Sequence, residues 1–374
     1  MKKTLVLLIM IVVITGMCFS KKTVWVSWEG EEWFKATAAE LEAELGEEIQ
    51  VVYIPELEQK LSISLKGNGE LPDLCLVKTD QVPLILKYKT PLSYAEMGIN
   101  QAFNTELLAS FEIDDTVWAV PYYADMQLMY LSTDIFDQLK LNIPDDSWTV
   151  EDFERLMMEI KKKKKQPSGW GINSAYIFTG FQEGLGSPIY NKEGKIQLVT
   201  PENIALIREF KQWYDTGLIF DYVNRPNIVK AFSKKQLAMF PQGSFLIQKF
   251  IDKKLSFEVR NLPYPWKSLI DPKGWVIFNG DENTRRILGR FVERNEEFAT
   301  LYIKYPAVPV SENTAIPYYK VFDETMKNGM IQPIDEAYVF GYWPAISTAI
   351  DLVLKENTEI EEALTTAQRY VDNK

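Results

Sequence analysis

Histidine is absent from the 374-residue sequence, and cysteine occurs only twice. Without imidazole the chain cannot assemble a Ser-His-Asp or Cys-His nucleophile, and it lacks the usual general base and a leading zinc ligand. Cys18 lies in the N-terminal segment. If that segment is removed, Cys75 in PDLCLVK has no disulfide partner and reads as a small buried hydrophobe. Phosphate loops are missing too: GLGSP at Gly184 to Pro188 has no P-loop lysine, and no G-x-G-x-x-G follows a strand. No Cys/His cluster has metal spacing. With 52 acids present, a metal site or glycosidase pair built only from carboxylates stays open, because its geometry belongs to the fold.

Bilayer-length apolar runs are lacking as well. The N-terminus, MKKTLVLLIMIVVITGMCFSKK, has two lysines, then 13 mostly apolar residues from Leu5 to Met17, then a small-x-small step at Cys18-Phe19-Ser20. This is the anatomy of a signal peptide, and its apolar core is shorter than the roughly 20 residues a span requires. The expectation is a leader over residues 1–20, a mature soluble protein beginning near Lys21, and a periplasmic or other extracytoplasmic location. Lipid modification of Cys18 is the alternative; Met17 fits it poorly, and the chain between Cys18 and the first strand leaves no tether. Loss of Lys2 and Lys3 would make the chain more acidic than the −11 of the full sequence, which disfavours nucleic acid and anionic head groups as partners.

The length that remains exceeds what one hydrophobic core organises, so two domains are expected. Thr23–Val26 and Ile49–Ile54 read as strands around a helix over Trp33–Leu45 that Gly46 stops, and Leu74–Val77 follows as a third strand. The pattern is a β-α-β unit in an open parallel sheet. Strands are also expected from Val117 to about Tyr122 and from Met126 to Leu131. SWTVEDFERLMMEIKKKKK reads as a helix capped by Ser147, its five lysines a solvated end that complements the helix dipole. TPENIALIREFKQWYDTG, DENTRRILGRFVE and EIEEALTTAQRYV are further helices. No Ser/Gly linker divides the chain, so the backbone is expected to cross between the domains more than once.

What is abundant is aromatic: 10 Trp, 18 Tyr and 20 Phe. Core packing accounts for most of them. Several sit beside turns and polar residues, namely Trp28 next to Glu29, Tyr122 and Tyr123 near Asp125, Trp275 after Gly274, and Tyr342-Trp343 after Gly341. Rings that stack on the C–H face of a pyranose, with carboxylates accepting from its hydroxyls, make a sugar site without catalysis. Asp125 poses a separate question, being an acid inside an apolar, β-prone run, where an unpartnered carboxylate is costly.

VWVSWEG, LPDLCLVKTDQ, VWAVPYYADMQLMYLSTDIF, SWTVEDFERL, KQLAMFPQGSF, GWVIFNGDENTRRILGRFVE, PAVPVSENT and GYWPAISTAI follow one another in this order. The series resembles the family 1 extracellular solute-binding proteins of ABC transporters, near the maltose/maltodextrin-binding type, over nearly all of the chain after the leader. The resemblance implies an α/β fold of two lobes, each an open, mostly parallel sheet flanked by helices, with ligand in the cleft between them. It divides the chain into an N-terminal lobe of residues 21–123 and 273–314 and a C-terminal lobe of 128–268 and 320–374. Hinge crossings fall near 124–127, 269–272 and 315–319.

The resemblance places Trp28, Glu29, Asp80, Asp125, Tyr176, Phe245 and Trp343 at the cleft, and Tyr122, Trp275 and Tyr342 join them as ligand-binding candidates. Asp125 would open onto the cleft and be met by water or ligand hydroxyls. Gln81 stands where the maltose type has arginine, Val77 and Phe245 where it has tryptophan, and Pro344 where it has an aromatic, which points away from maltose itself. The implied function is capture of a sugar or short oligosaccharide by a monomer and its delivery to an ABC-type permease, with no catalytic residue, metal or cofactor. The alternatives are a non-sugar solute such as a polyamine, phosphate ester or ion in the same fold, and an exported glycoside hydrolase.

Overall fold

A computed structural model of the chain describes residues 21–67 and 69–373, so the expected leader, its cleavage step and Cys18 lie outside the described residues. The strands β1 (Lys21–Val26), β2 (Glu48–Tyr53) and β3 (Leu74–Lys78) are parallel and connected through helices Glu31–Leu45 and Leu57–Lys66. A small hairpin, β4 (Glu112–Ile113) with β5 (Thr116–Val117), leads into β6 (Val120–Ser132), whose 13 residues are all buried. The two short strands expected around Asp125 are therefore one strand that runs through it. In the second half, β7 (Gln166–Trp170) lies parallel to both β8 (Ile219–Asp221) and β9 (Leu237–Gly243). Next, β10 (Phe257–Arg260) pairs with the end of β6, and β11 (Leu269–Ile277) returns between β3 and β6. Two short strands close the set: β12 (Tyr305–Pro306) on β6 and β13 (Met330–Ile331) on β11.

The main path is β2-β1-β3-β11-β6-β9-β7-β8. Strand β6 belongs to both halves: Val120 to Met126 pairs with β11, and Gln127 to Leu131 pairs with β9. The result is a two-lobed α/β molecule with mostly parallel sheets flanked by helices, and the handover between sheets falls at Asp125 to Gln127.

Each half has an aromatic core. In the first, Phe34 packs against Tyr122, Trp275, Phe291 and Phe298 with ring centroids 5.1–5.8 Å apart. In the second, Trp266 stacks on Phe181 at 3.8 Å, and Phe153 and Trp213 close around it. Seven of the ten tryptophans are buried, leaving Trp28, Trp118 and Trp343 half-buried. Burying a large ring contributes roughly 1.5–3 kcal/mol, so core packing is what most of the aromatic content is for. Cys75 is free and fully buried.

Several local expectations are refined. Thr149, not Ser147, caps the helix Val150–Lys162, in a reciprocal box with Asp152, while Ser147 bonds Asp145. Within the lysine run, Lys161 and Lys163 donate to the carbonyls of Thr216 and Leu139, at the C-terminal ends of two neighbouring helices. The run therefore complements three helix ends rather than one. GLGSP serves packing: a Cβ on Gly184 would meet the Pro265 carbonyl at 2.3 Å. The expectation that no apolar run reaches bilayer length is corrected by Ala337–Glu356, a helical run long and apolar enough to cross a membrane by length and composition, half of whose apolar window is buried inside the fold.

Between helices Val150–Lys162 and Pro201–Asp215, Glu209 is half-buried beside Glu154, which accepts from Trp213 Nε1 at 2.5 Å. Burial, with the carboxylates of Glu154 and Glu151, pushes Glu209 up to about 7. A raised carboxyl pKa means that the folded state holds the proton more tightly, so stability falls as pH rises from the ordinary value toward 7. Glu209→Gln should therefore melt higher than the parent at pH 8 and lose that advantage at pH 4, as measured by thermal denaturation.

Candidate functional site

Charge alternates along a chain of six side chains where the two sheets meet. Glu29, in the loop after β1, accepts from Lys304 at 2.8 Å and from the Tyr123 hydroxyl at 2.9 Å. Lys304 also reaches Asp125 Oδ1 at 2.8 Å; Asp125 Oδ2 takes Lys273 at 2.8 Å; Lys273 continues to Asp271 at 3.0 Å, and Asp271 to Lys78 at 3.2 Å. The Ser244 hydroxyl donates to Asp125 Oδ1 at 2.8 Å and accepts from the Met126 amide. Three acids and three bases cancel.

Asp125, Lys273 and Lys304 are each at most 3% exposed. Burial alone would raise the Asp125 carboxyl, but the two ammonium groups overcome it and hold Asp125 well below the usual range. Burial would likewise lower Lys273 and Lys304, and their carboxylate partners hold both up. The expectation that water or ligand meets Asp125 is corrected here: its oxygens are taken by two lysines and a serine, and it does not line the cleft.

The cleft itself is a cavity of about 510 Å³ with walls from both halves. Glu58, Lys78, Asp80 and Asp271 come from the first half, and Tyr176, Arg225, Phe245 and Trp343 from the second. Asp80 sits in a tight turn after β3 that Gln81 closes by accepting from the Lys78 amide at 3.0 Å. Burial pushes the Asp80 carboxyl up to about 6, with Lys78 opposing and Asp271 adding to the rise. A smaller cavity of about 170 Å³ shares Glu58 and Asp80 and adds Gln81 and Phe340. Across its rim Lys87 pairs with Glu336 at 3.2 Å.

Each cleft aromatic is held from behind. Phe245 follows β9 in the turn that Ser244 pins to Asp125. Tyr176 opens the helix Ala175–Gly184, capped by Ser174; Gln127 of β6 donates to the Tyr176 carbonyl and accepts from the Leu269 amide at 3.0 Å. That helix lies so close to Lys267 that a Cβ on Gly180 would fall 2.0 Å from its carbonyl oxygen. Trp343 follows a π-helical turn, Ala337–Tyr342, a wide geometry often found at functional positions. Behind it, Tyr338 and Tyr342 stack at 5.2 Å, and Tyr342 donates to Gln182 at 2.8 Å, bracing Trp343's helix on that of Tyr176.

Of the ten candidates, Asp80, Tyr176, Phe245 and Trp343 therefore meet on one cavity. Trp28, at a left-handed φ of 66°, and Glu29 are half-buried and do not line that cavity, the Trp28 ring lying 5.8 Å from the Lys78 ammonium and 6.0 Å from that of Lys273. Tyr122 and Trp275 are in the first core and Tyr342 is the brace just described; all three are 0% exposed, because their rings fill the space between sheet and helices. Sequence reasoning missed Glu58, Asn173, Arg225, Gln242 and Gln332, polar residues at helix starts, on loops or near a strand end that carry no local pattern. Asp80 Oδ1 and the Tyr176 hydroxyl are buried with no hydrogen-bond partner among the described residues. Among those residues no group of three or more Asp, Glu or Cys side chains is arranged to hold a metal ion.

Removing one member of a buried ion cluster strands its partners, typically at about 3–5 kcal/mol. Asp125→Asn takes a carboxylate from two buried ammonium groups at once, leaving each with one, and should cost more stability in urea unfolding than Glu29→Gln, which takes a carboxylate from Lys304 alone.

No protein-family model matches the sequence, and no curated protein matches it. Solved structures do. The GacH receptor of Streptomyces glaucescens, determined unliganded and with acarbose, superposes at a TM-score of 0.82 with 16% identity, covering 94% of this chain and 97% of that one. The ABC substrate-binding protein Lmo0181 from Listeria monocytogenes, in complex with cycloalternan, gives 0.79 at 16% identity, covering 95% and 98%. Maltose-bound T. maritima MalE3 gives 0.78 at 14% identity, covering 94% and 99%. At such identities the likeness is one of fold: over 94–95% of its length the chain has the two-lobed α/β architecture of these substrate-binding proteins.

Proposed function

We propose that the protein captures a sugar or short oligosaccharide in the cavity between its lobes and hands it to the membrane subunits of an ABC-type importer, without chemistry, cofactor or metal. The observation that carries this reading is the lining of one cavity. Four half-buried rings, Tyr176, Tyr222, Phe245 and Trp343, line it, and the buried polar atoms of its lining that lack partners among the described residues include Asp80 Oδ1 and Tyr176 OH. Flat rings suit the apolar faces of pyranoses, and unpaired polar atoms suit their hydroxyls. The sugars named with the superposed structures support the same ligand class. Export through the segment 1–20 and action as a monomer belong to this reading.

Residues 21–123 with 273–314, and 128–268 with 320–374, are the lobes we propose to move, about crossings near 124–127, 269–272 and 315–319. A ligand that touches both walls only when they are close shifts the population toward the closed state.

Two measurements test the reading. A thermal-shift screen against neutral oligosaccharides should find a stabilising ligand, worth about 2.7 kcal/mol at 100 times its dissociation constant. Trp343→Ala should then weaken binding roughly tenfold or more, since loss of a stacked, buried ring costs about 1.5–3 kcal/mol; unchanged affinity would contradict it. Because ionised Asp80 is the better acceptor for a ligand hydroxyl, affinity should rise as pH is raised toward about 6 and level off above, and Asp80→Asn should flatten that profile. Calorimetric titrations across pH 4.5 to 8 give the comparison.

A further inference from the structure

The two walls of the cavity carry opposite charge. On the first half, Lys78 and Asp271 satisfy each other at 3.2 Å, which leaves Glu58 and Asp80 with no cation within 4 Å among the described residues. On the second half the charged side chain is Arg225, and it too has no ion pair among the described residues. Its guanidinium lies over the Phe245 ring at 4.4 Å, and its N–H groups make no hydrogen bond among the described residues.

Arg225 is exposed, and its position is mildly unfavourable for a cation. It is the first residue of the helix Arg225–Ser233, where the macrodipole is positive, and no acid occupies that helix's first turn. The helix Ala175–Gly184 presents its N-terminus to the same cavity through its cap, Ser174, and Asn224 caps the helix of Arg225 beside it. Two positive helix ends and an unpaired guanidinium thus converge on one wall. Local rules of charge placement are broken at functional sites when a ligand supplies the missing partner. Here the missing partner is an anion.

We infer that the saccharide carries a carboxylate, as in a uronic acid residue, and that Arg225 binds this group while Asp80 and Glu58 accept from hydroxyls on the opposite side. A planar carboxylate matches the guanidinium fork in two parallel hydrogen bonds, an arrangement that a neutral hydroxyl cannot reproduce. This assignment rests on the saccharide-binding reading above and specifies its ligand class.

Calorimetric titration with neutral di- to tetrasaccharides, with galacturonate and glucuronate oligomers of the same lengths, and with sulfated oligomers is the test. The expected result is binding of a uronate oligomer at least tenfold tighter than its neutral counterpart. Arg225→Gln should lose that preference while melting without ligand close to the parent temperature, since the lost ring contact and the relieved helix-end charge offset each other, and Arg225→Lys should keep only part of it. Equal or tighter binding of the neutral series, a preference for the sulfated series, or a uronate preference that survives Arg225→Gln would overturn the inference and leave saccharide capture standing. If no oligomer of any series binds, the saccharide reading fails and this inference fails with it.

Discussion

Asp125 keeps two lysine ammonium groups charged in a place where water does not reach them. An unpaired ion in such a site is penalised by several kcal/mol, and Asp125 meets both Lys273 and Lys304 at 2.8 Å each, with Asp271 completing the pairing of Lys273 and Glu29 that of Lys304. The three residues come from three distant stretches of chain. Asp125 lies on β6, Lys273 on β11, and Lys304 just before β12. Their meeting fixes the register of the strands that pass from one sheet to the other. Ser244 adds the start of the turn after β9, which belongs to the second half.

Much of the cleft's geometry follows from that junction. The turn pinned by Ser244 presents Phe245, and Phe245 in turn carries the Arg225 guanidinium. Two residues beyond Asp125, Gln127 ties β6 to the Tyr176 carbonyl and the Leu269 amide. At the other end of the charge chain, Asp271 and Lys78 form part of the cavity wall. Since Lys78 and Asp271 on the cavity wall satisfy each other, the charged lining groups without an ion pair among the described residues are Glu58, Asp80 and Arg225.

Much of the architecture was legible in the sequence. Apolar spacing and caps located β1 to β3 and the helices starting after Thr200 and Asp281. The site was legible only in part. Asp80, Tyr176, Phe245 and Trp343 stand at the ends of strands or at helix starts, where a turn directs a side chain toward the cleft. Tyr122, Trp275 and Tyr342 have neighbours of the same kind in the sequence, yet their rings point into the cores, which only the packing of sheet against helix decides. Asp125 was conspicuous as an acid in an apolar strand, and its partners had the same signature. Asp271 and Lys273 sit two apart, on one face of the apolar strand LIDPKGWVI, and Lys304 sits in the apolar run YIKYPAV. Charges embedded in separate apolar strands point to one another before they point to a ligand.

The claim that these charges form one mutually dependent unit is open to a direct measurement, a double-mutant cycle in urea of the parent, Asp125→Asn, Lys304→Met and the double variant. Groups that share a buried network couple by about 0.5–3 kcal/mol, whereas independent sites add to within about 0.3–0.5 kcal/mol. The account predicts that the double variant is more stable than the sum of the two single losses implies, by more than about 1 kcal/mol, because each single change leaves the other buried charge with one partner fewer. Simple additivity would contradict it.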